Sequence, residues 1–164
     1  YREQYGFNAI SAMPTNLYGP EDNFHDINSH VIPALINRFH EAKQANSPFV
    51  TAWGSGSPRR EFLYVDDLAD AVLHLMANYD DEIPINIGVG DDITIRELTE
   101  MVAQVVGFKG EIRWDTSKQD GTPRKLLSVA RLHKLGWKAR MTLQEGLQET
   151  YRWYLQQDGH LRKA

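Results

Sequence analysis

The chain has no cysteine among its 164 residues, which excludes both a disulfide framework and a thiolate nucleophile. Its six histidines are scattered, and none shows the paired spacing of a helical zinc site. No uninterrupted apolar run is long enough to span a bilayer, and no apolar signal segment opens the chain. The third glycine of a dinucleotide fingerprint is missing after both Gly54-x-Gly56 and Gly88-x-Gly90, so each reads as a loop. No tyrosine is followed four residues later by lysine. A net charge of -4 argues against nucleic acid as the main partner, because phosphate-backbone binding usually needs a basic face. These absences leave the expectation of a cytoplasmic, metal-independent protein that binds neither nucleic acid nor membrane. At this length one domain with a sizeable core is expected rather than two.

A 41% hydrophobic and 24% charged composition is that of an ordinary globular chain, so its local patterns can be read as folded elements. Residues 1–5 read as the tail of a helix capped by Gly6, which implies a chain cut from something longer. Residues 7–13 read as a buried strand, ended by Pro14 and the Gly19-Pro20 turn. Residues 23–30 lack periodicity and are expected to loop. Ser29 is placed to cap the next helix, with Pro33 in the first turn and Val31, Leu35, Ile36 and Phe39 on one face. Strands are expected at 49–53, 62–65, 83–89 and 111–114. Asp66 is expected to cap a helix bearing Leu68, Val72, Leu75 and Met76. Capping boxes at Thr94/Glu97 and Thr142/Glu145 open two further helices, the first stopping at Gly107 and the second running to about Gln157. A short helix is expected over 128–135, and the residues after Gln157 are expected to fray. Alternating strands and helices make the class α/β.

Several stretches carry chemical potential. Pro14-Thr15-Asn16-Leu17 leaves a strand where proline interrupts the ladder and frees neighbouring backbone groups, as a flat carboxamide ligand needs. Taken alone it is simply a turn. His30 sits just before a helix, whose positive end favours a neutral imidazole usable as a base; for an arbitrary histidine, packing or capping is the commoner role. Arg38 lies eight residues on, about 12 Å along a helix axis, and by itself reads as a solvated charge. Trp53 closes a strand before a Gly/Ser turn, where an indole can lie against a ring or fill a core. Arg60 offers a planar fork for two anionic oxygens, while Arg59 in an extended segment points the other way. The run from Lys118 to Lys125 is, on its residues alone, a polar loop.

Taken together, Met13-Pro14-Thr15-Asn16-Leu17-Tyr18-Gly19-Pro20 and Arg59-Arg60-Glu61-Phe62-Leu63-Tyr64-Val65-Asp66-Asp67 resemble the substrate half of the extended short-chain dehydrogenase/reductases that act on nucleotide sugars. Thr116-Ser117-Lys118-Gln119-Asp120-Gly121-Thr122-Pro123-Arg124-Lys125 and Asn28-Ser29-His30-Val31-Ile32-Pro33 narrow the likeness to the GDP-L-fucose synthase family. It runs from Tyr5 to about Leu155. Tyr64 stands where the family usually has histidine, Gln119 where proline is common and Ser128 where aspartate is frequent.

The resemblance implies one C-terminal substrate-binding domain over residues 1–164, lacking most of the N-terminal Rossmann sheet. Residues 1–20 then carry the last Rossmann-type strand and the nicotinamide-contacting turn. Pro14, Thr15, Asn16, Leu17 and His30 are implied as contacts to NADP(H), with His30 also the acid/base of epimerisation. Arg38, Trp53, Arg60, Asp120 and Lys125 are implied as GDP-sugar contacts. The implied reaction converts GDP-4-keto-6-deoxy-D-mannose to GDP-L-fucose by epimerisation at C3 and C5 and NADPH-dependent reduction at C4. The catalytic Tyr, Lys, Ser and Cys of that reaction are implied in an upstream half, so the 164-residue chain alone is expected to be inactive and the full-length enzyme a homodimer. Two other readings stay open: another nucleotide-sugar epimerase or dehydratase on the same scaffold, and a non-catalytic nucleotide-sugar-binding module.

Overall fold

The computed structural model describes residues 1–25 and 28–157. Its elements run α1 (Arg2–Tyr5), β1 (Ala12–Pro14), β2 (Asn16–Tyr18), α2 (Val31–Gln44), β3 (Phe49–Trp53), β4 (Arg59–Arg60), β5 (Phe62–Tyr64) and α3 (Val65–Asn78). There follow β6 (Ile85–Ile87), β7 (Ile93–Thr94), α4 (Ile95–Val106), β8 (Glu111–Asp115), β9 (Arg124–Lys125), α5 (Ala130–Lys134) and α6 (Leu143–Leu155). The α/β class is as expected. The strands form small ladders: β1 with β6, β2 with β5 and β3 with β8, all parallel, and a three-stranded β7-β4-β9.

Two cores flank β5. Phe62 and Tyr64 belong to a cluster with Ile36, Phe39, Leu98, Val102 and Leu147 from α2, α4 and α6. Leu63 points the other way, into a second cluster with Leu75, Ile85, Ile87 and Leu132. Side chains alternate across a strand, so a three-residue strand buried at every position serves both cores. Each fully buried large side chain contributes roughly 1.5–3 kcal/mol, and α2 alone supplies Ile32, Ile36 and Phe39 at 0–1% exposure.

Helix α2 starts at His30, whose extended backbone (φ -69°, ψ 167°) makes it the cap residue. The expected Ser29 cap does not form. Its Oγ is buried without a hydrogen-bond partner among the described residues, because the helix begins one residue later than that capping pattern needs. Pro33 sits in the first turn, where no intrahelical N–H is required. The Thr94/Glu97 and Thr142/Glu145 boxes both form reciprocally, and Gly107 closes α4 at φ 78°.

Four other local expectations are corrected. Strand β1 covers only Ala12–Pro14 and is exposed throughout. Pro14 is its last residue, as expected, and is tolerated there because the Thr15 amide bonds Ile87 O at 2.9 Å, so the amide-less Pro14 position faces away from β6. Helix α3 is capped by Tyr64, not Asp66, which lies inside its first turn. Val72 and Met76 of α3 are 38% and 73% exposed and, with Leu73, lie on an outward face, while Ala71 and Leu75 face the core. Strand β6 is shorter than expected, leaving Ile83 and Val89 in exposed positions outside it. The expected fraying beyond Gln157 falls outside the described residues.

Candidate functional site

A cavity of about 690 Å³ opens between the β1–β2 turn and the start of α2. Thr15, Asn16, Leu17, Asp22, His30 and Arg60 line it, with Val31, Phe62 and Ile95 as apolar wall. The turn is held from behind: the Thr15 hydroxyl and the Asn16 side-chain amide both donate to the Glu61 carbonyl, at 3.3 and 2.7 Å. With the Thr15 N–H also bonded, Pro14 does not free that amide as expected. The turn is instead a stiff wall, apolar at Leu17 and polar along its backbone. His30 projects into the cavity mouth, its imidazole 84% exposed, with Nδ1 3.9 Å from the Asp22 carboxylate.

The second part of the site is built by β4 and β9. Arg59 pairs in register with Arg124, and Arg60 with Lys125. Asp92, its side chain only 2% exposed, accepts from Nε of both Arg59 (2.6 Å) and Arg124 (2.5 Å). Those two hydrogen bonds, the one from Arg124 foremost, hold the Asp92 carboxyl below the usual carboxylate range. Because neighbouring residues alternate across a strand, drawing Arg59 and Arg124 onto Asp92 sends Arg60 and Lys125 together to the opposite face. The result is a pair of side-by-side cations, one of them in the cavity wall. The segment read as a polar loop thus contains strand β9.

A third group gathers at the C-terminal end of β3. The Arg38 guanidinium lies 5.4 Å from the centre of the Trp53 ring and donates to Thr51 O at 3.0 Å. Lys118 Nζ lies 5.8 Å from the same ring, and Trp53 remains 61% exposed. Asp120 is engaged locally: Ser55 donates to it from its amide (2.9 Å) and its hydroxyl (2.6 Å), which lowers the Asp120 pKa. The structure therefore brings Thr15, Asn16, Leu17, His30 and Arg60 into one cavity. It pairs Arg60 with Lys125 along the sheet, and sets Arg38, Trp53 and Asp120 around the end of β3.

The profile of the NAD dependent epimerase/dehydratase family matches residues 1–88. The chain belongs to that family. Among curated relatives, GDP-L-fucose synthase 1 of Arabidopsis thaliana is 57% identical over 155 residues, covering 94% of this chain and 48% of its own length. GDP-L-fucose synthase of Escherichia coli K12 is 54% identical over 171 residues, covering 99% of this chain and 53% of its own length. The crystal structure of a GDP-L-fucose synthetase from Naegleria fowleri bound to NADP superposes with a TM-score of 0.89 at 34% identity, covering 94% of this chain and 49% of that one. The chain spans about half the length of the curated relatives it matches.

Within this epimerase/dehydratase chain, sequence reasoning passed over two buried carboxylates that organise the site, Glu61 and Asp92. Glu61 was visible as a lone charge between Arg60 and an apolar strand, a position where burial demands hydrogen-bond partners. Asp92 had no comparable signal, since both its arginine partners are more than 30 residues away. No helix among the described residues is long and apolar enough to cross a membrane.

Proposed function

We propose that this chain is the nucleotide-sugar half of an enzyme that converts GDP-4-keto-6-deoxy-D-mannose to GDP-L-fucose, with NADP(H) as cofactor. The observation that carries the proposal is the single cavity shared by the Thr15–Leu17 turn, His30 and Arg60. Its volume suits a sugar ring beside a flat carboxamide. The names of the relatives and the NADP-bound neighbour support the same reading.

The turn fits the nicotinamide end of the cofactor, since it is rigid and offers Leu17 beside backbone polar groups. Pro14, Thr15, Asn16 and Leu17 hold that end in place, and His30 stands beside it. NADPH supplies the hydride that reduces C4 when it is bound. His30 serves one face of the sugar as acid/base at the carbons flanking the ketone, and a second acid/base from the N-terminal half serves the opposite face, so that each centre inverts; the His30 ring is exposed, with Nδ1 3.9 Å from the Asp22 carboxylate. Arg60 and Lys125 neutralise the diphosphate, Arg60 as a fork and Lys125 as a point charge. Trp53 offers a flat face to the base, steadied by Arg38, which also approaches the diphosphate. Asp120 shapes the edge of the base site through its hold on Ser55.

The remaining groups of the reaction come from an N-terminal Rossmann half, and the outward apolar face of α3 at Val72, Leu73 and Met76, with Met13 of β1, is the surface such a half covers. The full-length protein is then a cytoplasmic homodimer with residues 1–164 as its substrate-binding domain. Calorimetric titration of the full-length protein with GDP and with UDP tests the reading. GDP is expected to bind at least about ten-fold more tightly, a difference of 1.4 kcal/mol. Preference for UDP would favour another nucleotide-sugar epimerase.

A further inference from the structure

We propose that Glu61 is a positioning residue whose carboxylate holds the nucleotide-sugar side of the site in place, while its main-chain carbonyl separately holds the cofactor side. The proposal rests on the reading of this chain as a nucleotide-sugar half. Glu61 is completely buried. One carboxylate oxygen accepts from the amides of Val89 and Gly90, both at 2.7 Å, and the other accepts from the amide of Leu127 at 3.0 Å. Gly88 packs so closely over it that a Cβ there would collide with Oε1. The carbonyl of the same residue holds Thr15 and Asn16. A single residue therefore ties together the cofactor turn, the loop after β6 and the chain two residues beyond Lys125.

Its neighbour Arg60 lines the cavity, and Leu127 trails the strand that carries Lys125. Releasing Leu127 would free the end of β9 and loosen the side-by-side placement of the two cations. The cofactor turn would be spared, because it hangs on the main-chain carbonyl, which no side-chain substitution removes. Glu61→Gln exploits this asymmetry. A glutamine has one acceptor oxygen, and two amides at one end outbid a single amide at the other. The side-chain NH2 then faces the Leu127 N–H, donor against donor.

The test uses the full-length protein, with GDP and NADPH as separate probes in titration calorimetry, and peptide-resolved hydrogen exchange. In Glu61→Gln the dissociation constant for GDP is expected to rise about ten-fold or more, while that for NADPH stays within about two-fold. Exchange should quicken over residues 124–128 and not over residues 88–90. Equal losses for both probes, or unchanged GDP affinity with only a lowered melting temperature, would overturn the proposal and leave Glu61 a packing residue. Should Glu61→Gln fail to fold, Leu127→Pro removes the donor instead, and the same split is expected; unchanged GDP affinity in that variant overturns the proposal equally. A wild-type protein that does not bind GDP refutes the nucleotide-sugar reading, and the exchange pattern then still decides whether Glu61 holds residues 124–128.

Discussion

Arg59 and Arg60 are adjacent, carry the same charge and lie in the same two-residue strand, yet the structure gives them opposite tasks. Arg59 is drawn onto the buried Asp92 carboxylate. Arg60 faces the cavity, with Nη1 bonded to the Arg59 carbonyl at 2.7 Å and Nη2 beside Gly121. One Arg60 donor is therefore committed to holding the fork, and among the described residues no bond engages the rest, which leaves them available to an anion. Replacing Arg60 with alanine removes the charge-assisted hydrogen bonds proposed to hold the diphosphate, which should cost roughly 1.5–3 kcal/mol, or about 10- to 100-fold in GDP affinity. The fold should be untouched, because among the described residues Arg60 is partnered by no buried carboxylate. Arg59→Ala leaves Asp92 with Arg124 alone. It should lower the melting temperature, while the folded fraction keeps most of its affinity for GDP. Calorimetric titration with GDP and with NADPH, alongside thermal melts of both full-length variants, reads all of these effects. Equal losses of GDP affinity in the two variants would refute the reasoning and point to a diffuse basic patch.

Three further outcomes are expected. His30→Gln in the full-length protein should slow solvent deuterium exchange at C3 and C5 by about 10²–10⁴-fold and weaken NADPH binding far less; normal exchange would make His30 only a helix cap. Gly146→Ala places a Cβ 2.9 Å from Cζ of the buried Tyr18 ring, and such overpacking should destabilise the protein by about 1–3 kcal/mol in chemical denaturation. The folded-state pKa of Asp92 lies below its unfolded value, so its ion pairs stabilise the fold above the unfolded value of about 3.9 and are lost as pH falls through the lower, folded value. The stability gap between wild type and Asp92→Asn should therefore persist at neutral pH and close below about pH 4, whereas a gap independent of pH would remove Asp92 from the account.

Much of the fold was legible because its signals are local. The two Thr-x-x-Glu boxes state where α4 and α6 begin within four residues each, and the short run at 49–53 before the Gly54–Ser57 turn marks β3 to the residue. Where the deciding partner is remote, the sequence misleads. The α3 stripe of Leu68, Val72, Leu75 and Met76 is apolar by pattern, yet only tertiary packing decides which part of it is covered. Strands β4, β7 and β9 have two residues each, too few to show any period. For the site, the motif residues could be named individually, but their grouping depends on Glu61 and Asp92. Those carboxylates act through backbone amides and through arginines far along the chain, and no spacing rule reports such contacts.

The central claim is that this chain recognises the sugar nucleotide of a reducing 3,5-epimerase. The most direct measurement follows the full-length protein turning over GDP-4-keto-6-deoxy-D-mannose with NADPH in deuterated water, with the product read by proton NMR. The account predicts GDP-L-fucose carrying solvent deuterium at C3 and C5 and a C4 hydrogen that comes from NADPH. A product reduced at C4 without exchange at C3 or C5, or no turnover of the GDP-sugar, would contradict it.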